Sequence, residues 1–417
     1  MSNTELTISK ITNEALMVLE NELTFTSEVN REYDDQFAVV GAKIGATVNV
    51  RRPIRVIGTV GPALNVEDFN ETSIPVTLTT QFHTDTQFTT QDLALSIDMF
   101  SDRVLKPQIA AIANRVDRDG LLMAKNNTAN TVGTPGTAPT GLITYLTAAA
   151  FLDAEGTPRD GRRCCVVEPF TSSVIVDSLK GLFVPQEAIG EQYRKGLMGR
   201  DSGGMNWKMD QNVISHTYGA WATTTGAITT VGSPQGLATG WAFSSTLTLN
   251  TTQTITLQQG DTITIAGVFA VNPQNRQAYG SNRLRNFVVT NAVTSTSGNF
   301  SVVVAPALIY GGQFQNVSAT PAGSATVTPF SAASTTATAQ VSPQNLIFHR
   351  NAFTLAIADL ELPEGVHFAG RASDEEIGLS IRVVRQYTIN NDSIPTRLDV
   401  LYGWAVLYPE LACRVAA

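Results

Sequence analysis

Between Gln211 and His349 the chain almost stops using charge: these 139 residues carry four charged side chains, Asp261, Arg276, Arg283 and Arg285, whereas the other 278 carry 60. A stretch so different from its flanks is a region of separate design set into the chain. It alternates Thr with Leu or Ile (STLTLNTTQTITL, DTITIAGVFAV) and adds β-branched runs (FVVTNAV, SVVVAP) broken by Gly, Ser, Asn and Pro. That is the pattern of half-buried strands. An all-β insert, a small barrel or sandwich, is expected over residues 224–344. Its far end, SATPAGSATVTPFSAASTTATAQ, reads as flexible strand and linker. No repeat of fixed period occurs.

At 417 residues the whole chain exceeds one ordinary core, so two or three domains are expected. A net charge of -8 with 15% charged residues argues against a nucleic-acid grip built on basic patches and against an anionic membrane surface. No window offers the roughly 20 apolar residues of a membrane span, and MSNTELTISK has no leader pattern. A soluble protein made in the cytoplasm is the expectation. Cys164, Cys165 and Cys413 are odd in number and two are adjacent, which predicts reduced, buried thiols.

Ahead of the insert, Thr90–Asn126 organises the chain, with a long helix expected from Ser101 to Lys125. Ser101 is a plausible N-cap, and Val104, Leu105, Ile109, Ile112, Ala113 and Val116 follow at helical spacing. Asp102 with Lys106, and Arg115 with Asp119, can pair across one turn of the solvated face. Pro107 should bend the helix, unless the helix begins near Lys106 and the proline sits in its first turn. Residues 1–40, with a short helix from Asn13 to about Glu20 and the polar run TSEVNREYDDQF, form an arm too poor in apolar surface to stand alone. VNVRRPIRVIG and SIPVTLTTQ, separated by GPALNVEDFNET, read as a hairpin with an exposed tip. Isolated hairpins are marginal in water, so a projecting one needs a partner surface. Arg51, Arg52 and Arg55 suit acidic neighbours such as Asp34 and Asp35 of another copy; Glu67 and Asp68 lie at the tip. With Asp102 and Arg115 these are the candidate inter-subunit contacts.

Beyond the helix a loop, helices at Ile143–Ala154, Pro169–Leu182 and Glu187–Met198, and the buried strand RRCCVVEP describe an α+β or α/β body. After the insert, LIFHRNAFTLAIADLELP, GLSIRVVRQYTI and TRLDVLYGWAVLYP are strands that complete it.

Candidate chemistry is weak throughout. Asp201-Ser202-Gly203-Gly204 matches the surroundings of a serine-protease nucleophile, but Arg200 replaces the preceding glycine and only His83 lies before it, so a glycine-rich loop is expected. Asp117-Arg118-Asp119-Gly120 opens like a calcium loop and lacks the later ligands; a helix exit or kink at Gly120 is expected instead. His83, His216, His349 and His367 have no zinc spacing. Trp221, Trp241, Phe287 and Phe300 offer either a carbohydrate platform or core packing, and packing is favoured.

The order of parts, together with NWKMDQNVISHTYG (Asn206–Gly219), GDTITIAGVFAVNPQNRQAYG (Gly260–Gly280), NLIFHRNAFTLAIADLELP (Asn345–Pro363) and GLSIRVVRQYTINNDSIPTRLDVLYG (Gly378–Gly403), resembles one family. It is similar to the major coat proteins of tailed bacteriophages with the Hong Kong 97-like capsid fold, of the Salmonella short-tailed phage type with an insertion domain. The resemblance implies an α+β subunit: N-terminal arm 1–40, extended loop and flanking strands 41–89, spine helix of the peripheral domain 90–130, axial body 131–223, insert 224–344 and returning strands 345–417. It further implies a non-enzymatic homo-oligomer of hexamers and pentamers in an icosahedral virion shell, assembled in the host cytoplasm. A scaffolding protein and a portal protein would be partners, a decoration protein is left open, packaged DNA would lie close by, and no cofactor or membrane is implied. Processed relatives carry a long N-terminal scaffolding segment, so a chain starting at a short arm predicts no proteolytic maturation. No covalent cross-linking motif can be placed. The reading from another class is a secreted or surface β-rich adhesin.

Overall fold

The computed structural model describes residues 23–31, 47–66, 71–89, 106–179, 203–220, 228–279, 283–330, 340–373 and 380–417. In chain order, strands β1 (Thr47–Arg51), β2 (Ser73–Thr77) and β3 (Thr80–Thr89) precede helix α1 (Lys106–Asn127). β4 (Thr131–Gly133), α2 (Ile143–Ala154), β5 (Arg163–Val167), α3 (Pro169–Leu179), β6 (Asn206–Met209) and β7 (Ser215–Thr217) follow. The low-charge stretch supplies β8 (Ile228–Thr230), β9 (Ser245–Thr251), β10 (Ile255–Leu257), β11 (Thr262–Phe269), β12 (Leu284–Val289), β13 (Val293–Ser295), β14 (Gly298–Ala305) and β15 (Val327–Pro329). β16 (Val341–His349), β17 (Phe353–Ala358), β18 (Phe368–Ser373), β19 (Ser380–Arg385), β20 (Ser393–Val406) and β21 (Ala412–Ala416) close the chain. The protein is thus mixed α+β. Two compact units form: Met1–Val50, Pro75–Leu121 and Phe353–Ala405 in the first, Arg51–Ile74, Leu122–Ala352 and Val406–Ala417 in the second.

In the first unit β20 is the hub, with β19 and β18 to one side and β3 and β17 also paired to it. Leu398, Val400 and Tyr402, alternate residues of β20, are buried on one face. On α1 the stripe Ile109, Ile112, Ala113 and Val116 is buried, in the spacing read from the sequence. Pro107 is the second described residue of α1. Ser101 and Asp102 lie outside the described residues, as do the expected helices at 13–20 and 187–198.

Gly120 is not the helix exit, because α1 continues seven residues beyond it to Asn127. Glycine is there for room: a Cβ would meet the Trp404 ring at 2.5 Å and Phe25 at 2.8 Å. The Asp117 carboxylate accepts the backbone N–H of Thr24 at 2.8 Å, Phe25 at 3.3 Å and Thr26 at 3.0 Å, and also the Thr26 hydroxyl. Leu23, Phe25 and Val29 are buried, with Phe25 stacked 5.5 Å from Trp404. For residues 23–31, then, the docking surface that the arm lacked lies in its own chain.

The second unit holds two six-stranded sheets. In the first, β4, β21, β16, β5 and β6 are neighbours in that order and β7 also pairs with β16. Helix α2 packs Tyr145, Ala148, Ala149 and Leu152 against Cys165, Val167, Ile347, Cys413 and Val415. All three cysteines are buried and outside any disulfide. Burial pushes the Cys413 thiol up to about 12, so it stays protonated.

The insert forms the order β15, β11, β12, β14, β9, β8, with antiparallel pairing throughout, beside the small pair β10 and β13. A bridge between Thr229 and Thr326 joins the two ends, closing the sheet on itself. Closure removes the free edges that would template aggregation. Leu247, Leu249, Ile263, Ile265, Phe287, Val289, Val302 and Val304 fill the interior. The Ala/Thr-rich end is not all linker: Val327–Pro329 pairs with β11 as a barrel strand because Val327 and Pro329 point into buried positions.

Candidate assembly interface

β1 and β2 pair as the base of the expected hairpin, with Val48, Val50, Ile74 and Val76 on the buried side. Pairing stops near Arg52, whose N–H still reaches Thr72 O at 2.8 Å. The strand was expected to run on to Gly58, but Pro53 has no N–H to donate. Likewise the expected strand from Ser73 to Gln81 is split, and its second part belongs to β3.

Arg52 pins the base. Its Nη2 lies 2.6 Å from Glu410 Oε1, and its guanidinium sits 5.1 Å from the Trp241 ring and 4.7 Å from the Tyr408 ring. Arg55 is 3.8 Å from the same carboxylate, and burial lowers its pKa against the pull of Glu410. Both border a cavity of about 60 Å³ with Glu155, Arg285 and Phe314. Beyond this anchor the tip turns aliphatic side chains outward: Ile54, Val56, Ile57, Val60, Leu64 and Val66 are all exposed, Val60 and Leu64 almost completely. Six large aliphatics within thirteen residues thus face water.

Of the other candidate contacts, Arg51 pairs loosely with Glu71 at 3.7 Å, both exposed. Arg115 binds Asp119 at 3.0 Å. That pair is more than surface decoration, because Asp119 also accepts the Tyr402 hydroxyl at 2.7 Å and ties helix to sheet. Asp34, Asp35, Glu67, Asp68 and Asp102 lie outside the described residues.

All four charges of the low-charge stretch reach beyond the barrel. Asp261 accepts from His216 Nε2 at 2.8 Å and from Gly219 N at 3.1 Å. Arg276 donates to Val56 O of the hairpin at 2.8 Å. Arg283 and Arg285 converge on Glu155 just after α2, where the Tyr279 hydroxyl also donates to Ala154 O. Cations and donors at a helix C-terminus meet its unsatisfied carbonyls and negative pole. From the other side the fully buried Arg414 of β21 donates to Gly260 O at 2.9 Å and to Thr262 Oγ1. Their scarcity was the signal in the sequence: a barrel that needs no charge keeps it only at its joints.

A catalytic constellation does not assemble among the described residues. His83 pairs with exposed Asp85 at 2.9 Å, His349 with Asp160 at 3.1 Å, and Ser202 is outside the description. Gly203 and Gly204 have φ of 67° and 77°, as a glycine loop requires. Phe287 is in the barrel core and Trp241 stacks on Arg52; Trp221 is not described. Among the described residues, no three His, Cys, Asp or Glu side chains group to hold a metal ion, and no helix is long and apolar enough to cross a membrane.

The model of the P22 coat protein family, gene protein 5, matches residues 1–414. The chain belongs to the P22 coat protein family. It is therefore a bacteriophage coat protein, and the family implies a structural role in the virion and not a catalytic one. Similar solved structures include the capsid of Ralstonia phage GP4, at 7% identity over 94% of this chain and 88% of that one with a TM-score of 0.45. A chain of Mycobacterium phage Che8 is 12% identical over 94% and 90%, TM-score 0.44. The capsid of Cyanophage P-SCSP1u is 12% identical over 89% and 84%, TM-score 0.43. Likenesses this loose add no functional weight to the family assignment. No curated protein matches significantly.

Proposed function

We propose that this coat protein assembles through its hairpin into an icosahedral shell of hexamers and pentamers that encloses packaged double-stranded DNA. The observation that carries the reading is the contrast within the hairpin: a base fixed by Arg52 and Glu410, and a tip whose six aliphatic side chains face water. Burying those side chains on another copy would contribute roughly 25 cal/mol for each Å² removed from water, repeated at every copy of the shell. A tip that contacts a different patch on its neighbour makes a heterologous contact, the kind that forms rings where its rotation closes.

In this reading residues 1–40 are the arm, 41–89 the extended loop, 90–130 the spine of a peripheral domain, 131–223 with 345–417 the axial and returning parts, and 224–344 the insert. The shell first forms with a scaffolding protein around a portal and later expands, which requires its interfaces to have two arrangements. Arg51, Arg55 and Arg115 are proposed at subunit contacts, as are Asp34, Asp35, Glu67, Asp68 and Asp102. Arg52 serves by holding the hairpin base. The low-charge, acidic composition lets the inner wall lie near DNA without gripping it.

The test is Val60→Asp with Leu64→Asp. Neither side chain is buried in the subunit, so it should fold as before, while assembly should fail by sedimentation and electron microscopy. Normal particles from the double variant would remove the hairpin tip from the interface.

A further inference from the structure

His216, on β7, is 2% exposed and lies between two opposite charges from different elements. Its Nδ1 is 3.2 Å from Lys125 Nζ at the end of α1, and its Nε2 is 2.8 Å from Asp261 Oδ1 at the entrance to β11. An ammonium has no lone pair to offer, so Lys125 donates and Nδ1 accepts. The network therefore assigns the neutral imidazole with its proton on Nε2, donated to Asp261. Other groups facing the ring are the guanidinium of Arg414 on β21 and the edge-on ring of Tyr218, 4.6 Å away. Tyr218 keeps its proton, since burial raises it above the usual phenol range.

The charges at this joint are Arg414 and Lys125 against Asp261, with a neutral ring between. A proton added to Nδ1 would aim an N–H at the Lys125 ammonium and place three cations around one carboxylate, away from water. Asp261 could still hold the ring; Lys125 could not. We propose that His216 is an acid-released latch: its protonation breaks the link between the end of α1 and the barrel, loosening the insert on its own subunit while the rest of the fold persists.

The sign follows from the folded-state shift. Burial lowers the His216 pKa, so the unfolded or opened form binds the proton more readily. The joint is at full strength above the free imidazole value of about 6.5 and weakens as pH falls below it. Burial and Arg414 also lower Lys125, to about 8, so that group does not counteract the release.

Hydrogen exchange of the full chain tests this, comparing residues 215–219 and 257–263 at about pH 7.5 and about pH 5 after correction for intrinsic rates. Wild type should open there more readily at the acid pH than at the neutral one, because the opened form takes up the extra proton. His216→Gln carries one donor and one acceptor at similar positions and does not titrate, so it should keep the joint closed at both. An equal acid response in His216→Gln, or none in wild type, overturns the latch. Should the variant fail to fold, titration of His216 in wild type by NMR decides: it must protonate below the free imidazole value of about 6.5, and a midpoint at or above that value overturns the proposal.

Discussion

Arg52 Nη2 donates to Glu410 Oε1 at 2.6 Å across 358 positions of sequence, joining the hairpin base to the turn before the last strand. With the side chains 10% and 18% exposed, the pair is mostly desolvated, and Trp241 and Tyr408 flank it. Arg55 shares the carboxylate at 3.8 Å but is 35% exposed. Arg52→Ala should therefore destabilise the subunit by about 2 kcal/mol, and Arg55→Ala by about 0.5 kcal/mol. Equal losses in chemical denaturation would show that the anchor is not Arg52.

Asp117 is the arm's acceptor. Asp117→Ala leaves three backbone N–H groups and the Thr26 hydroxyl without their partner, and should cost about 2–4 kcal/mol. The loss should be local first, seen as faster amide exchange at residues 24–26. Unchanged protection there would mean that Phe25 packing alone holds the arm.

Gly120→Ala sets two effects against each other. Alanine favours a helix by roughly 0.5–1 kcal/mol over glycine, whereas forcing a Cβ into the Trp404 ring costs about 1–3 kcal/mol. The contact at 2.5 Å decides for destabilisation, while Gly141→Ala, with open space around it, should stay within about 0.5 kcal/mol. A more stable Gly120→Ala protein would contradict the packing described.

Glu155 holds two arginines. Glu155→Ala strands Arg285, whose side chain is 4% exposed, and should cost about 3–5 kcal/mol. Replacing both partners with apolar residues, Glu155→Leu with Arg285→Met, should recover most of that loss. If the double variant is as unstable as the single one, the pair does more than neutralise itself.

Lys125 supplies a pH dependence with a definite sign. Its pKa is lowered from 10.5 to about 8, with burial the larger cause and Arg414 the smaller. Between those values the unfolded chain binds more protons, so stability should rise with pH from about 8 to about 10 relative to Lys125→Met. Parallel curves for the two proteins would place Lys125 in solvent.

How legible was this in the sequence? Periodicity found α2 to its end residues and the buried face of α1, because their packing is local and regular. Charge depletion found the insert, and alternation its strands. The sequence did not disclose that the barrel closes, since the Thr229 to Thr326 bridge pairs residues nearly a hundred positions apart. Nor did it show where isolated charges go. Arg52 reads as a free basic residue on a hairpin until Glu410, Trp241 and Tyr408 are brought around it. Gly120 reads as a helix breaker unless the opposing Trp404 is known. In each case the deciding partner comes from a distant part of the chain.

Assembly of a closed shell through the hairpin is open to electron microscopy of the expressed protein, with and without a co-expressed scaffolding protein. Closed icosahedral particles of uniform size are expected with the scaffold present, and should be lost when the hairpin tip carries Val60→Asp and Leu64→Asp. Well-folded subunits that form no particles under either condition would contradict it.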